Sequence, residues 1–430
     1  MCYNKFMFKS LIRFRMERLV RKYFKKHHPR LIVVVGAAGK TTTKIAIATM
    51  LTQRFKVRME DTNHNTDMSV PPALLGVGYP NNPRNPFAWM AVLRGMKKRI
   101  RRDDDTEIII QELGTDHPGE IPHFGNYIRP DLAVVTSILP EHMENFGDLD
   151  AVAREELAVA EYSNILFINR DDVDPKYADF AKTARIDTYG IHEPAEYRFD
   201  IISNDPRDGF NGEFISPELG RIPATIKLLG QHNLRAAIVA GALGVKFGLS
   251  PEEIKRGLEA IRPILGRMNV LPGRNNTVII DDTYNSSPGA AAAALKTLYQ
   301  FDAPQLIAIL GSMNELGASS PDEHTKLGSL CDPTQLEYLV TVGEDANKYL
   351  ATEAEKIGNR VQRCNTPMEA GLFVAKIMLP GAVILAKGSQ NGVFTEEAVK
   401  VLLANTTDYD KLVRQSLDWL DVKKRQFGQE

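Results

Sequence analysis

Short apolar runs alternate with helix-like segments along the chain. Apolar runs occupy residues 31–35, 107–113, 131–138 and 164–169, and helical patterns lie between them. This alternation is typical of a parallel β-sheet covered by helices, because each short run can form a buried strand and each longer segment can cross back over the sheet. The pattern therefore predicts an α/β fold with a central parallel sheet.

The α/β pattern is interrupted once and then restarts. A turn-rich, strand-like interval spans about residues 198–229, and new apolar runs that precede helix-like segments begin after Pro263. The restart predicts a second, smaller Rossmann-like α/β domain, and the pair Pro272 and Gly273 is the predicted hinge between the two domains. We predict a helix over residues 1–30, a central parallel-sheet domain over 31–265 and a C-terminal domain over 266–430.

The first segment is strongly basic. It contains a single acid, Glu17, and its basic residues are Lys5, Lys9, Arg13, Arg15, Arg18, Arg21, Lys22, Lys25, Lys26 and Arg30. Apolar residues also recur there at helical spacing, which predicts a basic amphipathic helix. Such a helix could make peripheral contact with an anionic membrane at its inner face. It could equally dock on the next domain with its charges solvated.

Composition is typical of globular proteins. Hydrophobic residues make up 43% and charged residues 25% of the 430 residues, and the net charge is −1. That balance excludes a disordered chain, and no apolar run reaches the roughly 18 residues that a membrane-spanning helix needs. The three cysteines, Cys2, Cys331 and Cys364, are far apart and fit neither a disulfide framework nor a zinc site. We therefore expect a reduced, cytoplasmic protein.

The segment GAAGKTTTK, which follows the first apolar run, is a candidate nucleotide site. A strand that leads through glycines into a helix directs backbone N–H groups and the helix N-terminus at one spot, and such a spot binds anions. Lys40 adds a positive charge for the β- and γ-phosphates, and the Thr41 hydroxyl is a candidate magnesium ligand. The candidate nucleotide-binding residues here are Gly36, Gly39, Lys40, Thr41 and Thr42. The alternative is a plain glycine turn between a strand and a helix.

Two polar residues that follow predicted strands are candidates for the metal that such a nucleotide needs. Glu112 ends the run EIIIQE, and His142 follows the run LAVVTSI. Open α/β sheets bind ligands beyond the carboxyl ends of their strands, so we expect both side chains near the phosphate loop. Each residue alone could be a solvated side chain or a helix cap, and only the combination indicates a site.

Further motifs follow in a recognisable order. They are NHNTDMSVPPALLG, QELGTDHPGEI, TSILPEHMENFGDLDAVAREE, GQHNLRAA, GRMNV, IDDTYNSSPGAAAAAL, LGSMNELG and AKGS. With the short loop GAAGKTTT, this series resembles the Mur ligase superfamily over about residues 31–400. The resemblance implies a parallel-sheet P-loop ATPase domain followed by a smaller Rossmann-like domain. It is closest to the branch that adds D-alanyl-D-alanine to a peptidoglycan precursor.

The resemblance implies an ATP-dependent ligase that releases ADP. A carboxylate would attack the γ-phosphate to form an acyl phosphate, and an amine would then displace phosphate to form an amide bond. The expected cofactors are ATP and Mg²⁺. The expected partners are a peptide or amino-acid substrate and a carboxylate acceptor, bound by a monomer that does not bind nucleic acid. The alternatives are a Mur-like ligase with another peptide or poly-amino-acid product, and a non-catalytic ATP-binding homologue.

The same resemblance assigns roles to individual residues. Lys40 and the loop amides would hold the ATP phosphates, Thr41 and Glu112 the first magnesium, and His142 the second metal. Asn233, Arg267 and Asp282 would contact adenine, a phosphate and the ribose, and Asn65 and Lys387 would contact substrate. Alternatively, Asn233 caps the helix that follows it, and Asp281 and Asp282 are ordinary acids at a strand end.

The chain departs from the family pattern in two places. Its basic helix stands where the Mur ligases carry an N-terminal domain that binds UDP, so we expect that domain to be lacking. Glu156 stands where the family has a lysine that becomes carbamylated and supports the second magnesium. The Glu156 carboxylate could replace the carbamate in catalysis, or it could leave that metal site weakened. A third alternative is a solvated glutamate on a helix surface.

Overall fold

The apolar runs of the first part of the chain form one large sheet. The computed structural model describes residues 2–60, 64–140, 142–181, 185–205 and 208–428, with side chains from residue 8 onward. The strands of this sheet are β1 (Arg30–Val35), β2 (Val57–Met59), β3 (Ile108–Glu112), β4 (Leu132–Val135), β5 (Ile165–Asn169), β6 (Arg185–Gly190), β7 (Tyr197–Asp205), β8 (Gly209–Ser216) and β9 (Gly220–Ile226). Over the described residues their order is β2-β3-β1-β4-β5-β6-β7-β8-β9, and β1 to β7 pair in parallel.

Helices alternate with these strands, and some of them begin at a side chain that caps the first turn. The helices are α1 (Cys2–His27), α2 (Lys40–Leu51), α3 (Val70–Leu74), α4 (Pro86–Arg101), α5 (Glu120–Phe124), α6 (Met143–Phe146), α7 (Leu149–Leu157), α8 (Gln231–Lys246) and α9 (Pro251–Ala260). The Ser250 side chain accepts from the backbone of Glu253 and the Glu253 side chain accepts from Ser250, so α9 begins with the predicted cap and with proline in its first turn.

The register of three neighbouring strands determines where the loops after them meet. Val34 of β1 pairs with Glu112 of β3, and Val35 of β1 pairs with Val135 of β4. All three strands run in the same direction, so their carboxyl ends lie side by side at one edge of the sheet. The loops that follow β1, β3 and β4 therefore converge there.

Strand β1 is buried on both faces. Its residues 31–35 are all buried, and Leu31, Val33 and Val35 belong to the same hydrophobic cluster as residues of α1 and α4. A strand with both faces covered needs apolar residues at every position, which explains why this segment is a continuous apolar run and does not alternate.

Helix α1 docks on this unit through one apolar stripe. Ile12, Met16, Val20 and Tyr23 are buried in the cluster that also contains β1 and α4. Most of its basic side chains remain exposed. The prediction that this helix docks on the next domain is therefore confirmed for its apolar stripe. No helix in the described part of the chain is both long and apolar enough to cross a membrane.

The rest of the chain forms a second α/β unit. Its strands are β10 (Asn269–Pro272), β11 (Val278–Asp282), β12 (Leu306–Gly311), β13 (Leu336–Val342), β14 (Val361–Cys364) and β15 (Val383–Lys387). Its helices are α10 (Pro288–Leu298), α11 (Ser320–Ser329), α12 (Ala351–Lys356), α13 (Pro367–Ile377), α14 (Glu396–Leu402) and α15 (Leu417–Phe427). In the described residues the strand order is β10-β11-β15-β12-β13-β14, and only β10 pairs antiparallel. The predicted α/β class is confirmed.

The predicted hinge at Pro272 and Gly273 is wrong. The first compact unit comprises Met1–Ser203, Asn211–Ile226 and Gln231–Ile261, and the second comprises Asn204–Phe210, Lys227–Gly230 and Arg262–Glu430. Pro272 is the last residue of β10, and Gly273 lies in the turn that leads into β11. The Gly273 N–H donates to the Thr277 carbonyl at 2.9 Å. The Pro-Gly pair therefore serves a hairpin inside the second unit.

A buried carboxylate anchors the C-terminal end of α1. Asp104 accepts hydrogen bonds from the Tyr23 hydroxyl at 2.5 Å and from Arg58 Nη1 at 2.8 Å, and it pairs with Arg99 Nη2 at 2.9 Å. Burial raises the pKa of Asp104, but the hydrogen bonds from Tyr23, Thr106 and Arg58 outweigh burial and hold the pKa well below its usual range. The charged form is therefore the form that the fold stabilises.

We expect Asp104→Asn to lower the free energy of unfolding by about 3 kcal/mol, because it leaves two arginines without their shared counterion. The pKa of Asp104 is depressed in the folded state, so its contribution is present above the pKa of the unfolded chain, about 4, and is lost as pH falls below that value. Urea unfolding of both proteins between neutral and acid pH measures this difference. The exposed neighbour Asp103→Asn is the control, and an equal loss in the control would contradict the account.

Candidate active site

The loop between β1 and α2 has a backbone that requires glycine. Gly36 and Gly39 have φ of 117° and 81°, in the left-handed region. A Cβ atom on Gly36 would lie 2.4 Å from Thr136 Oγ1 and 2.8 Å from the Ser137 nitrogen. The end of β4 therefore approaches this loop too closely for any side chain at position 36.

Residues at the end of β4 hold the loop in place. The Ala37 N–H donates to the Ser137 carbonyl at 3.1 Å, and the Ala38 N–H donates to Ser137 Oγ at 2.9 Å. Thr136 Oγ1 donates to the Ala38 carbonyl at 2.6 Å. These bonds order the loop before any ligand arrives, which lowers the entropy lost on binding.

Lys40 places a positive charge at the mouth of the loop. Its Nζ donates to the Gly36 carbonyl at 2.5 Å and to the Ala37 carbonyl at 3.2 Å. Lys40, Thr41 and Thr42 form the first turn of α2, whose N-terminal N–H groups and dipole also favour an anion. The Lys40 ammonium and the start of α2 are together the kind of surroundings that favour an anion.

Glu112 lies beside this helix start. It accepts from Thr41 Oγ1 at 3.0 Å and from Asn65 Nδ2 at 3.2 Å, and Lys44 Nζ is 3.8 Å from its Oε2. Glu112 is buried, so the nearby ammonium and the two hydrogen bonds offset the cost of taking its charge out of water. The prediction that an acid at the end of β3 meets the phosphate loop is correct in geometry.

The Thr41 hydroxyl and the Glu112 carboxylate are oxygen ligands of the type that Mg²⁺ binds. Magnesium prefers hard oxygen ligands, and in nucleotide sites it is usually held by one or two protein oxygens with phosphates and water completing the shell. Among the described residues, no three His, Cys, Asp or Glu side chains lie close enough to form a metal site of their own. A hydroxyl and a carboxylate within 3.0 Å of each other are therefore the donor set available here.

Two consecutive glutamates at the end of α7 hold two different loops. Glu156 Oε2 accepts from the Gly36 N–H at 2.8 Å. Glu155 accepts from the N–H groups of Gly119 and Ile121, each at 2.7 Å, and so fixes the start of α5. Both glutamates are buried, Glu156 with only 2% of its surface exposed. The alternative of a solvated glutamate at position 156 is therefore wrong.

Two further candidates lie at the ends of helices in the same unit. His142 begins α6 with a left-handed backbone, and its Nε2 is 3.3 Å from Asp116 Oδ1. Asn233 is buried in the first turn of α8. Both residues thus sit at helix starts, as expected for groups that face a ligand, but this position alone does not assign them a ligand.

The second unit brings together three other candidates. Lys387 of β15 pairs in register with Asp282 of β11, and its Nζ donates to Asp282 Oδ2 at 2.6 Å. The Met268 N–H donates to Asp282 Oδ1 at 3.1 Å, and the Arg267 guanidinium carbon lies 4.2 Å from the centre of the Tyr284 ring. Asp282, Lys387 and Arg267 therefore belong to one cluster at the carboxyl edge of the second sheet.

Asp281 differs sharply from an ordinary acid at a strand end. It is completely buried, and burial raises its pKa to about 7 although hydrogen bonds from Thr283 lower it. Its Oδ2 has no hydrogen-bond partner among the described residues. A carboxyl group that is partly protonated near neutral pH repels the adjacent Asp282 less than a full charge would.

Comparison with known proteins decides the family. The family model of the Mur ligase middle domain matches residues 34–244, and that of the Mur ligase, glutamate ligase domain, matches residues 266–390. The chain belongs to the Mur ligase family. As a Mur ligase it is an ATP-dependent, ADP-forming ligase that works with Mg²⁺, which confirms those predictions.

Individual relatives of this Mur ligase are similar over most of the chain. UDP-N-acetylmuramoyl-tripeptide--D-alanyl-D-alanine ligase from Bacillus subtilis (strain 168) is 26% identical over 401 residues, which cover 90% of this chain and 79% of the relative. MurF from Acinetobacter baumannii has a TM-score of 0.74 at 24% identity, over 90% of this chain and 79% of that chain. MurF ligase from Thermotoga maritima, solved in complex with ADP, has a TM-score of 0.72 at 21% identity, over 90% of this chain and 83% of that chain.

Sequence reasoning missed several residues that the structure brings to the candidate site. Lys44 lies four residues after Lys40, one helical turn further along α2, and this spacing could have identified it. Ser137 and Glu155 act through hydrogen bonds to backbone atoms far away in the sequence, and no local pattern marks such contacts.

We expect Glu156→Ala to lower the free energy of unfolding by about 1–3 kcal/mol, because it leaves the buried Gly36 N–H without an acceptor. Glu156→Gln keeps an acceptor oxygen and should retain most of that stability. Urea unfolding measures the energies, and hydrogen exchange of the residues 36–40 reports the local effect. Glu161→Ala, at an exposed position nearby in sequence, is the control. Equal behaviour of the Ala and Gln variants would show that the hydrogen bond is not what Glu156 contributes.

Proposed function

We propose that this Mur ligase joins D-alanyl-D-alanine, or a similar amino compound, to the carboxylate of a cell-wall peptide precursor. The observation that carries the proposal is the glycine loop before α2, where the Lys40 ammonium and the first turn of α2 lie beside the Thr41–Glu112 pair. The name of the Bacillus subtilis relative, which aligns with 90% of the chain, supports D-alanyl-D-alanine as the amino substrate.

The chemistry follows from the poor reactivity of a carboxylate. Its oxygen is a poor leaving group, so an amine does not displace it directly. Transfer of the γ-phosphoryl group of ATP to the carboxylate gives an acyl phosphate and ADP. The amine then attacks the acyl carbon, phosphate leaves with one of the original carboxylate oxygens, and the ammonium proton is released to solvent. Positioning and charge stabilisation are the protein's main contributions to such a transfer.

Lys40 is the principal cation for this transfer. Its ammonium is bound to two backbone carbonyls at the loop, and phosphate oxygens would give it stronger, charge-assisted hydrogen bonds at the same place. The N–H groups of Gly36, Ala37 and Ala38 already donate within the protein, so the further donors come from the first turn of α2. These groups stabilise the negative charge that develops on the β-phosphate as ADP leaves.

Thr41 and Glu112 would hold the magnesium ion, and His142 would bind a second ion in this proposal. Magnesium, when bound with ATP, offsets the repulsion between the phosphates and the attacking carboxylate. Lys44 is 3.8 Å from Glu112 and helps to hold that carboxylate in place. Glu156 positions the phosphate loop through the Gly36 N–H and so acts on catalysis through the loop.

The remaining candidates bind the nucleoside and the substrate. Asn233 contacts adenine, Arg267 a phosphate and Asp282 the ribose, while Asn65 and Lys387 contact substrate. Support for Arg267 comes from its buried Nε, which has no hydrogen-bond partner among the described residues and so retains a donor for a ligand. Support for Lys387 comes from its short bond to Asp282, which fixes its ammonium at the sheet edge.

The enzyme acts as a monomer in the cytoplasm, where ATP is available. Its basic N-terminal helix brings it to the inner face of the membrane. The carrier of the acceptor peptide is then either a free nucleotide-linked sugar or a lipid-linked one.

Phosphate release from ATP tests the proposal. Purified protein with Mg²⁺ is given muramoyl-tripeptide carriers, UDP-linked or lipid-linked, each with D-alanyl-D-alanine or with single amino acids. We expect release only when both a muramoyl carrier and the dipeptide are present. Lys40→Ala should lower the rate by at least about 100-fold, because it removes a cation that stabilises the transition state. Lys296→Ala, at an exposed position on α10, should leave the rate unchanged.

Release with other amino compounds but not with the dipeptide would exclude D-alanyl-D-alanine as the amino substrate. ATP binding without release for any pair would contradict the proposed reaction and favour a non-catalytic homologue. Equal rates for wild type and Lys40→Ala would remove the assigned role of the loop.

A further inference from the structure

The outward face of α1 combines bulky apolar side chains with basic ones. Phe8, Leu11 and Phe14 are exposed, Phe14 over 52% of its surface. At 100° per residue these three share one side of the helix with six exposed basic residues, which are Arg15, Arg18, Arg21, Lys22, Lys25 and Lys26. Glu17, the one acid of the described helix, lies on the buried side. The apolar residues occupy the first half of this face and most of the cations the second half.

Helix α4 repeats this arrangement. Phe87 is 77% exposed and Met90 is exposed as well, both at the start of the helix. Four exposed basic residues follow on the same side, which are Arg94, Lys97, Lys98 and Arg101. The opposite side of α4, with Trp89 and Met96, is buried in the hydrophobic cluster that also receives α1. The helix contains no acid.

The two faces are neighbours. Lys26 Nζ at the end of α1 donates to the Ile100 carbonyl at 2.8 Å and to the Arg101 carbonyl at 3.3 Å, and His27 Nε2 is 3.1 Å from the Ile100 carbonyl. The C-terminal, basic ends of the helices therefore meet. Since both helices pack over the same hydrophobic cluster, both exposed faces point away from it.

The cations of these two faces lack carboxylate partners among the described residues. None of the ten basic residues just named forms an ion pair with a carboxylate in the described part of the chain. Other cations nearby do form such pairs, as Arg13 does with Asp67 and Arg99 with Asp104. Concentrated, uncompensated positive charge repels itself, so it destabilises the free protein and is relieved by an anionic partner.

We infer that the exposed faces of α1 and α4 form one docking surface for a membrane that contains anionic lipid. Cations would lie among the lipid headgroups, and Phe8, Leu11, Phe14, Phe87 and Met90 would enter the boundary with the acyl chains. A nucleic acid would satisfy the charges, but side chains such as Leu11 and Met90 cannot stack on its bases.

The inference rests on the membrane contact that the proposed function gives to α1 and extends it to α4, but it does not depend on the proposed reaction. The residues of the docking surface make no contact with the Thr41–Glu112 pair in the described structure, and none has a role in the chemistry. The surface holds the enzyme where a lipid-linked acceptor would be encountered, but vesicle binding can be measured without ATP or substrate.

Sedimentation with vesicles tests the docking surface. The full-length protein is mixed with vesicles of phosphatidylcholine alone or with about one third phosphatidylglycerol. We expect the protein to bind only the anionic vesicles, and we expect salt to weaken this binding.

The triple variant Arg94→Glu, Lys97→Glu, Lys98→Glu should bind the anionic vesicles at least about 100-fold more weakly, since each cation near an anionic surface changes partitioning roughly fivefold. Lys296→Glu, Lys326→Glu, Lys356→Glu, with three exposed lysines of the second unit, is the matched control.

A second triple variant tests the apolar part of the surface. Leu11→Ser, Phe14→Ser, Phe87→Ser keeps every charge and should weaken vesicle binding by about tenfold or more, because less apolar area is buried. Leu372→Ser, Leu379→Ser, Leu417→Ser, at exposed leucines elsewhere, is its control. Thermal unfolding of all variants confirms that they are folded.

Three results would overturn the inference. The first is equal binding to neutral and anionic vesicles. The second is equal vesicle affinity for either triple variant and its control. The third is binding of a labelled single-stranded RNA at a salt concentration where anionic vesicles are not bound, which would identify a nucleic-acid surface instead.

Discussion

The register of strands β3, β1 and β4 is the constraint on which the candidate active site depends. It aligns the end of β1 with Glu112 on one side and with Val135 on the other. The loop after β1 is therefore placed between a carboxylate and the Thr136–Ser137 backbone, against which Gly36 packs too closely for a side chain. A shift of one residue in either pairing would exchange the two faces of the shifted strand and remove the contact made at the end of that strand.

Two buried carboxylates lie beside the proposed ATP site, and the structure compensates the charge of each one with different partners. Glu112 has hydrogen bonds from Thr41 and Asn65 and the Lys44 ammonium nearby. Glu156 accepts a hydrogen bond from the Gly36 N–H. A buried, unpaired carboxylate would cost several kcal/mol, so these partners decide whether the charges can remain. The partners of Glu112 suit a role as a metal ligand, and the partner of Glu156 suits a role in anchoring the loop.

The sequence predicted the elements of the site better than their contacts. The continuous apolar run of β1, the glycine loop and the acid that ends β3 are local patterns, and each occurs where expected. The hinge prediction at Pro272 and Gly273 failed because a Pro-Gly pair indicates a turn but does not indicate which elements the turn connects. The burial of Glu156 and the anchoring by Glu155 depend on where α7 packs, and spacing along the chain carries no information about that.

Transfer of an oxygen atom from the substrate to phosphate tests the acyl phosphate, the central claim, most directly. The acceptor peptide is prepared with ¹⁸O in its carboxylate and incubated with enzyme, ATP, Mg²⁺ and the amino substrate, and the released phosphate is analysed by mass spectrometry. An acyl phosphate intermediate requires each released phosphate to carry one oxygen from the carboxylate. Unlabelled phosphate would show that ATP is hydrolysed without activation of the carboxylate, and it would contradict the mechanism.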